Sequence, residues 1–505
     1  MLLSKENLKK ITSSEIELPT AESFALPERI IQFGTGVLLR GLPDYYVDKA
    51  NKRGVFNGRI LVVKSTASAG ADAFDEQDGL YTICIKGLKE GAEIVSYSLN
   101  NAISRVLAAS SDWEQILAAA SNPDLTIVIS NTTEVGIVSS SDKLHDQPPA
   151  SFPGKLLAFL YARYQYFDGA ADKGLVILPT ELITDNAKKL KAIIHSLADE
   201  NNLGEDFKNW IDSANDFCNT LVDRIVPGKL PAAEQAETEA SLGYQDALMI
   251  MAEPFSLWAI ETDSARVRER LSFSAVDSGV VLVPSIDKFK ELKLRLLNGT
   301  HTLSCAAALW SGFVSVKEAM NHTQFNQFVR GLMQKEIGQA MLDRSIEQQD
   351  VDTFSNSVID RFSNPFLEHR WANIALNYTS KISLRNIALL DKWYAKKQEP
   401  PRYIALGFAA YLKLMNSTLQ DDKFVQNQHG ETLTLQDEFV PILHNYWKDP
   451  STVVRNVLSD GRLWGEDLSL FPDFETSVQH YLDQINEVGV LNAIEKLNVS
   501  WQVEY

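Results

Sequence analysis

The sequence predicts an α/β domain built on a parallel sheet, followed by a mainly α-helical domain. Three observations predict this class. The chain has 505 residues, which is more than a single hydrophobic core usually holds. Its first half alternates short β-rich runs with longer helical patterns, as a parallel sheet with crossover helices requires. Beyond about Lys288 the β-rich runs nearly vanish and amphipathic helical patterns dominate.

Four continuous apolar runs predict the strands of the first domain, at 29–33, 59–64, 126–130 and 175–179. Continuous apolar character suits strands that are covered on both faces. Helical patterns lie between or after them, at 38–49, 111–120, 155–166 and 187–197. Because two parallel strands need a crossover connection, this order favours a parallel sheet.

The change to helical patterns defines the predicted domain boundary. A last β-like run near residue 280 gives way to a helical pattern by residue 293. We therefore place the first domain at 1–285 and the second at 286–505. The clearest helical patterns of the second domain cover 325–342, 401–415 and 474–497.

The composition is that of an ordinary globular protein, and its charge limits the partners. The formal net charge is −18, with 45% hydrophobic and 23% charged residues. Nucleic acids and anionic membranes bind surfaces that are dense in Lys and Arg, so neither is predicted as a partner. A small anionic molecule stays possible as a ligand, because a single pocket can be basic.

The sequence predicts a cytoplasmic protein. Its first residues, MLLSKENLKK, lack the apolar region of a signal peptide, and no run approaches the roughly 18 apolar residues of a membrane span. The three cysteines, Cys84, Cys218 and Cys305, have no CxxC spacing, so neither a disulfide framework nor a zinc site is predicted. No feature of the sequence predicts the oligomeric state.

The stretch RIIQFGTGVLLRG, residues 29–41, joins the first predicted strand to the first predicted helix. Gly34 and Gly36 can supply the sharp turn and the close backbone approach by which a dinucleotide-binding loop holds a pyrophosphate. Leu39 stands where that pattern has its third glycine, and Gly41 follows behind Arg40. The residues alone leave two interpretations open, a nucleotide site in a Rossmann-like domain and a structural turn.

Two neighbouring patterns bear on whether residues 29–41 form a dinucleotide-binding site. The second predicted strand is followed by no Asp or Glu that could bind the adenosine ribose, and Lys64 stands there instead. Tyr45 and Lys49 have the YxxxK spacing of short-chain dehydrogenases. They lie on the helix directly after the glycine loop, however, so we expect them to face packing or solvent rather than a substrate.

A stronger group of polar residues lies in KLRLLNGTHTLSC, residues 293–305. In an α-helix with about 100° per residue, Lys293, Asn298 and His301 would lie at about 0°, 140° and 80°, on one half of the helix. Interconversion of a carbonyl and an alcohol needs a proton carrier and a donor that stabilises the oxyanion. A desolvated lysine and an asparagine amide can supply these, and a histidine can orient a hydroxyl. The alternative is an ordinary helix with a surface lysine and a partly buried histidine.

The motifs together resemble the long-chain polyol dehydrogenase family, also called the mannitol dehydrogenase family. The pattern Lys-x4-Asn-x2-His opens the helical domain, a GxG loop stands near the N-terminus, and the similarity extends over almost the whole chain. The motifs that carry it are QFGTGVLLRG (32–41), QDGLYT (77–82), SNTTEVGI (130–137), NTLVDRIVPG (219–228), LNGTHT (297–302), RFSNPF (361–366) and YTSK (378–381).

The resemblance implies a role for each residue of that group. Lys293 matches the acid/base lysine of the family, Asn298 its oxyanion-stabilising asparagine, and His301 its substrate-binding histidine. Asp223 matches an aspartate near the active site, and Lys381 a lysine that contacts the substrate. Because the acid/base lysine, matched here by Lys293, supplies what zinc supplies in other alcohol dehydrogenases, no metal is expected.

Three features of the sequence extend or depart from the family pattern. Mannitol-type members have an arginine eight residues before the substrate lysine, where this chain has Asn373. The Asp-Asn pair near the end of the fourth strand is replaced by Glu181 and Leu182, and we name Asn186 as a substitute for the second oxyanion asparagine. Arg385 lies one helical turn beyond Lys381, so we expect it to contribute to substrate binding.

The resemblance also implies the cofactor and the reaction. It favours the interpretation of residues 29–41 as a loop that binds NAD. The polar turn at 131–133, after the predicted strand 126–130, lies at the edge of the sheet where such folds bind ligands. The reaction implied is the NAD-dependent interconversion of the keto sugar acid tagaturonate and altronate. Fructuronate or mannitol as substrate, and a sugar-acid- or nucleotide-binding scaffold without turnover, are the alternatives. The predicted cofactor-binding residues are Ile31, Gln32, Phe33, Gly34, Thr35, Gly36, Val37, Leu38, Leu39, Arg40, Asn131 and Thr132.

Overall fold

The computed structural model of the chain describes residues 1–64, 72–132 and 136–503. For residues 72 and 500–503 it describes the backbone only. It divides into two compact units. The first comprises Met1–Lys86 and Glu93–Ile286, and the second comprises Gly87–Ala92 and Asp287–Tyr505. Residues 87–92, at the tip of a β-hairpin, are assigned to the second unit. A single boundary near residue 285 therefore does not describe both units.

The first unit contains the parallel sheet that the sequence predicts. Within the described residues this sheet has six strands in the order β5-β2-β1-β6-β7-β8, and its neighbouring strands run parallel. The α/β fold class is therefore confirmed. The strands are β1 Glu28–Phe33, β2 Arg59–Lys64, β3 Tyr81–Lys89, β4 Ala92–Asn100, β5 Ile103–Ala108, β6 Ile127–Ser130, β7 Val176–Pro179, β8 Asp216–Phe217, β9 Thr220–Asp223, β10 Ile250–Ala252, β11 Leu257–Glu261 and β12 Val280–Val283.

The sheet separates two hydrophobic cores, because successive side chains of a strand point to opposite faces. Ile30 and Ile31 of β1 are both fully buried but belong to different cores. Their partners in β6, Ile127 and Val128, divide in the same way. Burial on both faces explains why the sequences of the four predicted strands are continuous apolar runs. The ends of each observed strand lie within one residue of the predicted ends.

Helices connect and cover the strands of the first unit. The pattern at 38–49 was expected to form one helix, and this prediction is wrong, because it forms two. Leu42 interrupts the helix with φ −134° and ψ −78°, since the residue before a proline disfavours helical geometry and Pro43 begins the second helix. The helices are α1 Val37–Gly41, α2 Pro43–Lys52, α3 Asp72–Glu76, α4 Trp113–Ala118, α5 Phe152–Tyr166, α6 Asn186–Glu200, α7 Glu205–Ala214, α8 Ala232–Leu242 and α9 Ala265–Arg270.

The second unit is mainly helical, as predicted. Its described residues also include three π-helical segments, at Lys293–Gly299, Leu332–Ile337 and Ser383–Ile387. The α-helices are α10 Asp287–Leu292, α11 Thr300–Trp310, α12 Val316–Asn321, α13 Thr323–Gly331, α14 Gly338–Met341, α15 Gln348–Phe362, α16 Trp371–Ile374, α17 Tyr378–Ile382, α18 Ala388–Tyr394, α19 Arg402–Leu414, α20 Val440–Tyr446, α21 Val453–Leu458, α22 Gly461–Trp464, α23 Phe474–Val488 and α24 Val490–Val503.

The second unit differs from the prediction in two places. The pattern at 474–497 forms two helices rather than one, because Gly489 takes φ +82° and ends the first of them. The near absence of strands was also wrong, since an antiparallel sheet follows α19. Its strands are β13 Thr418–Gln420, β14 Lys423–Gln428 and β15 Glu431–Thr434. No helix among the described residues is long and apolar enough to cross a membrane.

Candidate active site

The glycine loop after β1 needs its first glycine for backbone reasons. Gly34 has φ +128°, a conformation that other residues rarely adopt. A β-carbon at Gly34 would lie 2.8 Å from the backbone oxygen of Asn131 and 2.9 Å from Cδ1 of Leu39. The loop is held there because the Gly34 N–H donates to the Val63 oxygen at 3.0 Å. Gly34 thus lets the loop pass against the end of β6.

The second glycine of the loop has a different role. Gly36 is exposed, with φ −59° and ψ 153°, which any residue can adopt. A β-carbon at Gly36 would meet no atom within 4 Å. The fold therefore does not require glycine at this position. Its missing side chain leaves open the space beside the loop, as close approach of a ligand to the backbone requires.

Most predicted cofactor-binding side chains near this loop face the protein interior. Ile31, Phe33 and Leu39 are buried in the two cores. Val37 and Leu38 pack against one of these cores, and Thr35 is half-buried. We infer that this loop offers a ligand its backbone rather than its side chains.

The side chains of Arg40 and Gln32, two of the predicted cofactor-binding residues, hydrogen-bond to the protein's own backbone. The Arg40 guanidinium is buried and donates to the Leu248 oxygen at 2.6 Å. Burial lowers its pKa, and it lies 5.4 Å from the centre of the Tyr81 ring. The buried Gln32 amide lies 3.4 Å from the Gly34 oxygen, so it supports the loop from behind.

Polar groups gather at the carboxyl ends of β6 and β7, where open α/β sheets bind ligands. The Asn131 amide donates to the backbone and hydroxyl oxygens of Thr180, both at 3.0 Å. The Thr132 N–H and hydroxyl donate to Oε1 of Glu181 at 3.0 and 3.1 Å, and the Ser130 hydroxyl donates to Oε2 at 3.1 Å. The turn at 131–132 is thus fixed to the end of β7, while Thr133 lies outside the described residues.

Glu181 is a residue that the sequence analysis gave no role. Its side chain is only 3% exposed, and burial raises the pKa of its carboxyl group. The only signal in the sequence was the replacement of the family's Asp-Asn pair by Glu181 and Leu182. The structure shows that Glu181 anchors the turn after β6.

Asn186 does not fit the role of a second oxyanion donor, and this prediction is corrected. Its side-chain amide donates to three backbone oxygens, those of Pro179, Glu181 and Thr220, at 2.9, 3.1 and 3.1 Å. Its side-chain oxygen accepts from the N–H groups of Ala187 and Thr220. With 1% exposure and both amide hydrogens occupied, Asn186 joins β7 to β9.

Asp223 and the dismissed YxxxK pair also lie in the first unit. Asp223 is buried at the end of β9, opposite Leu257 of β11. Its predicted place near the substrate stays a prediction. The Lys49 ammonium lies 2.6 Å from Oδ2 of Asp277, which agrees with a structural role for α2.

The predicted catalytic group lies at the start of the second unit, on a π-helix followed by an α-helix. Lys293 and Asn298 belong to the π-helical segment, and His301 belongs to α11. The calculation with 100° per residue is therefore wrong for Lys293 and Asn298, because a π-helix bonds residues five apart. Such segments are frequent at functional sites. Asn298 is half-buried, and its side-chain amide has no hydrogen-bond partner among the described residues.

The π-helical segment Ser383–Ile387 is hydrogen-bonded to the segment Lys293–Gly299. The Asn386 amide donates to the Gly299 oxygen at 3.2 Å. The buried Arg295 guanidinium donates to the oxygens of Leu384 and Arg385 at 2.9 and 2.7 Å. Because a β-carbon at Gly299 would lie 2.9 Å from the Asn386 amide, glycine is needed for this contact.

These contacts bring the predicted substrate residues to the helix that carries His301. The Arg385 guanidinium donates to Oγ1 of Thr302 at 3.0 Å. The Tyr378 hydroxyl, on the same helix as Lys381, donates to the Thr302 oxygen at 2.7 Å. The Lys381 ammonium donates to the Ile374 oxygen at 3.0 Å, and its pKa is lowered by burial and by Arg385.

His301 is buried among aromatic rings. Its ring stacks on that of Phe362 at 3.9 Å between centres, and the rings of His369 and Trp371 approach its edge at 5.0 and 5.9 Å. Its Nε2 atom has no hydrogen-bond partner among the described residues. Burial lowers the His301 pKa well below its usual value, as do the nearby cations. His301 is therefore neutral at neutral pH, and its buried Nε2 atom is unpaired among the described residues.

The surroundings of His301 are positively charged, although the whole protein is acidic. The cations that lower its pKa, besides His369, are Arg361, Arg385 and Lys381. In the part of the chain that the structure describes, neither Lys381 nor Arg385 forms an ion pair. This region can therefore hold an anionic group of a small molecule.

Family models match both units. The mannitol dehydrogenase Rossmann domain matches residues 28–273, and the mannitol dehydrogenase C-terminal domain matches residues 285–486. The chain is 38% identical to an altronate oxidoreductase of Bacillus subtilis (strain 168), over 93% of this chain and 95% of that protein. It is 36% identical to an altronate oxidoreductase of Phocaeicola vulgatus, over 94% of this chain and 98% of that protein.

Solved structures show the same fold. One is the mannitol 2-dehydrogenase of Pseudomonas fluorescens in a ternary complex with NAD and D-mannitol, with a TM-score of 0.68 and 20% identity over 98% of this chain and 99% of that chain. Another is a D-sorbitol dehydrogenase in substrate-free form, with a TM-score of 0.78 and 20% identity over 98% of this chain and 100% of that chain. The predicted family is confirmed: this chain belongs to the mannitol dehydrogenase family and is an oxidoreductase that acts on CH–OH groups.

Proposed function

We propose that this protein interconverts tagaturonate and altronate with NAD as the cofactor. The observation that carries the proposal is the similarity to altronate oxidoreductases over more than nine-tenths of each chain. The basic surroundings of His301 support it independently, because a sugar acid carries a carboxylate that a neutral polyol lacks.

The glycine loop fits a dinucleotide. A bound NADH would supply the hydride of the reaction. The open space beside Gly36 would admit the pyrophosphate to the loop backbone, and Asn131 and Thr132 would lie at the ligand-binding edge of the sheet. Helix α1 has only five residues, so its dipole adds little, and the N–H groups of the loop must carry most of the interaction.

Lys293 would carry the proton of the reaction. During reduction the carbonyl oxygen becomes an alkoxide, which must receive a proton, and a positioned general acid typically gains roughly 10²- to 10⁴-fold in rate. The side-chain amide of Asn298 is free to donate to the same oxygen. His301, neutral and with Nε2 unpaired, would bind a hydroxyl of the substrate.

Lys381 and Arg385 would bind the carboxylate of the sugar acid. Each donates a single hydrogen bond to a neutral oxygen, so its charge is not neutralised by a described carboxylate. A charge-assisted hydrogen bond to a ligand is shorter and stronger than a neutral one. The positive charge also offsets the net charge of −18, which repels an anionic substrate at a distance.

The test is a set of reductions by the purified protein, followed as loss of NADH absorbance. We expect the highest kcat/KM with tagaturonate, lower values with fructuronate, and the lowest with fructose. NADPH in place of NADH tests the cofactor, and we expect NADH to be preferred. A preference for fructuronate or fructose would assign a different substrate within the family. No oxidation of NADH or NADPH with any of the three would favour a binding scaffold without turnover.

A further inference from the structure

The most informative group without an assigned role is the imidazole of His369. It lies in the segment between α15 and α16, and its side chain is exposed. Its ring is perpendicular to that of His301, at 5.0 Å between centres. His369 is therefore an exposed histidine directly beside the buried histidine that the family pattern places at the substrate.

The backbone of this segment is held in a fixed position. The Val316 N–H donates to the His369 oxygen at 2.9 Å, and the Trp371 N–H donates to the Val314 oxygen at 3.1 Å. The Trp371 indole also donates to the Ser315 oxygen at 3.0 Å. Since these bonds use the backbone and the indole, the His369 side chain can be replaced without breaking them.

The charges around His369 are mostly positive. Burial of part of the ring lowers its pKa, and Arg361 and Lys381 lower it further. The chain neighbour Glu368 is paired with Lys317 at 3.0 Å. Among the described residues, the titratable groups shown to interact with His369 are His301 from α11, Arg361 from α15 and Lys381 from α17, and its charged neighbours in the chain are Glu368 and Arg370.

We propose that His369 recognises the carboxylate of the sugar acid and makes the protein selective for acids over neutral polyols. The inference rests on the proposed function, because it assumes a carboxylate on the substrate. In the free protein the neighbouring cations disfavour the protonated imidazole of His369. A bound carboxylate favours the protonated form, so binding of the acid is accompanied by uptake of a proton by His369. His369 is then a specificity-determining residue, with Lys381 beside it.

This role makes affinity depend on pH in a defined direction. The free protein holds the pKa of His369 below its usual value, and a bound carboxylate raises it. Affinity for an acid is therefore highest below the pKa of the free protein, and it falls as pH rises toward the pKa of the complex. A neutral polyol lacks the charge that couples to the proton, so its affinity stays constant with pH.

The experiment is isothermal titration calorimetry on the full chain without cofactor, so that no turnover is involved. The probes are D-altronate and its neutral counterpart D-altritol, at pH values from 5.5 to 8.0, where the carboxylate of altronate stays ionised. For the wild type we expect altronate binding to weaken by about tenfold across this range, as for loss of one charge-assisted hydrogen bond. Altritol binding should not change.

The variant His369→Gln should bind altronate with a constant affinity close to that of the wild type at pH 8.0. His480→Gln is the matched control, because His480 is exposed on α23, outside this cluster, and it should keep the wild-type profile. Melting temperatures establish that the variants are folded, and His369→Asn serves as a second replacement.

Three results would overturn the inference. They are a pH dependence that persists in His369→Gln and His369→Asn, an equal pH dependence with altritol, and no pH-dependent binding of altronate by the wild type. The proposed reaction fails separately. If altronate binding shows the His369 profile while no sugar acid is reduced, the inference stands and the reaction does not.

Discussion

The glycine loop of the first unit and the paired π-helical segments of the second unit present chemistry in opposite ways. At the loop, the side chains of Phe33 and Arg40 are buried in the interior, and we propose that the loop backbone faces the ligand. At the π-helical segments Lys293–Gly299 and Ser383–Ile387, Arg295 and Asn386 donate to three backbone oxygens, and we propose that polar side chains bind the substrate. We therefore expect a substitution in the loop to affect binding by blocking access to the backbone. A substitution in the second unit should affect activity by removing a side-chain functional group.

The largest expected effect is at Lys293. We expect Lys293→Ala to lower kcat for tagaturonate by roughly 10²- to 10⁴-fold, because no other group would carry the proton. Steady-state kinetics with NADH and circular dichroism of the variant check this. Lys448→Ala, which changes an exposed lysine of the same unit, is the control and should keep wild-type kcat. A folded Lys293→Ala with wild-type kcat at all pH values would remove Lys293 from the reaction.

The two glycines of the loop sharpen the contrast, because Gly34 is required by the fold and Gly36 is proposed to admit the ligand. A β-carbon at Gly36 would meet no atom within 4 Å, so we expect Gly36→Val to keep the melting temperature and to raise the NADH dissociation constant by about tenfold or more. Gly34→Ala places a β-carbon 2.8 Å from the Asn131 oxygen, and we expect it to lose about 1 to 3 kcal/mol of stability.

Fluorescence titration with NADH and thermal unfolding separate these outcomes. Unchanged NADH binding by Gly36→Val would take the loop out of the cofactor site. A Gly34→Ala variant as stable as the wild type would show that the positive φ is not required.

The first unit was more predictable than the second for a physical reason. A strand buried on both faces has to be continuously apolar, so β1, β2, β6 and β7 could be recognised within one residue. The break at Leu42 was missed because the apolar pattern continues across it. Strands β13 to β15, most of whose residues are exposed or half-buried, were missed because they lack an apolar run.

The candidate site was predictable in its residue types but not in its geometry. The resemblance named Lys293, Asn298 and His301, yet the π-helix has no sequence signature that period analysis detects. Asn186 was misassigned because its identity suggests a donor, whereas three backbone oxygens occupy its amide. Nothing in the sequence shows that His369 lies beside His301, because 68 positions along the chain separate them.

A smaller effect is expected at Lys381. We expect Lys381→Met to raise KM for tagaturonate by roughly tenfold and to change KM for fructose little, because only the acid uses the charge. Kinetics on both substrates check this. Equal proportional losses of kcat/KM would instead indicate that Lys381 binds a hydroxyl group. A lowered melting temperature would indicate a structural role.

The smallest effect is expected at Glu181, which acts on the loop through Thr132. Glu181→Gln keeps the shape and one acceptor oxygen, so we expect the NADH dissociation constant to rise by roughly threefold, as for a weakened neutral hydrogen bond. Glu181→Ala removes both acceptors and should raise it further. Equal NADH binding by all three proteins would show that the turn at 131–132 does not contribute to the cofactor site.

The most direct test of the account follows the hydride itself. Tagaturonate is incubated with the wild-type protein and NADH that carries two deuterium atoms at C4 of the nicotinamide, and the product is analysed by mass spectrometry. We predict altronate with one deuterium on the former carbonyl carbon, and far slower formation of the same product by Lys293→Ala. Altronate without deuterium, or no altronate at all, would contradict the claim that this protein reduces a sugar acid by hydride transfer from NADH.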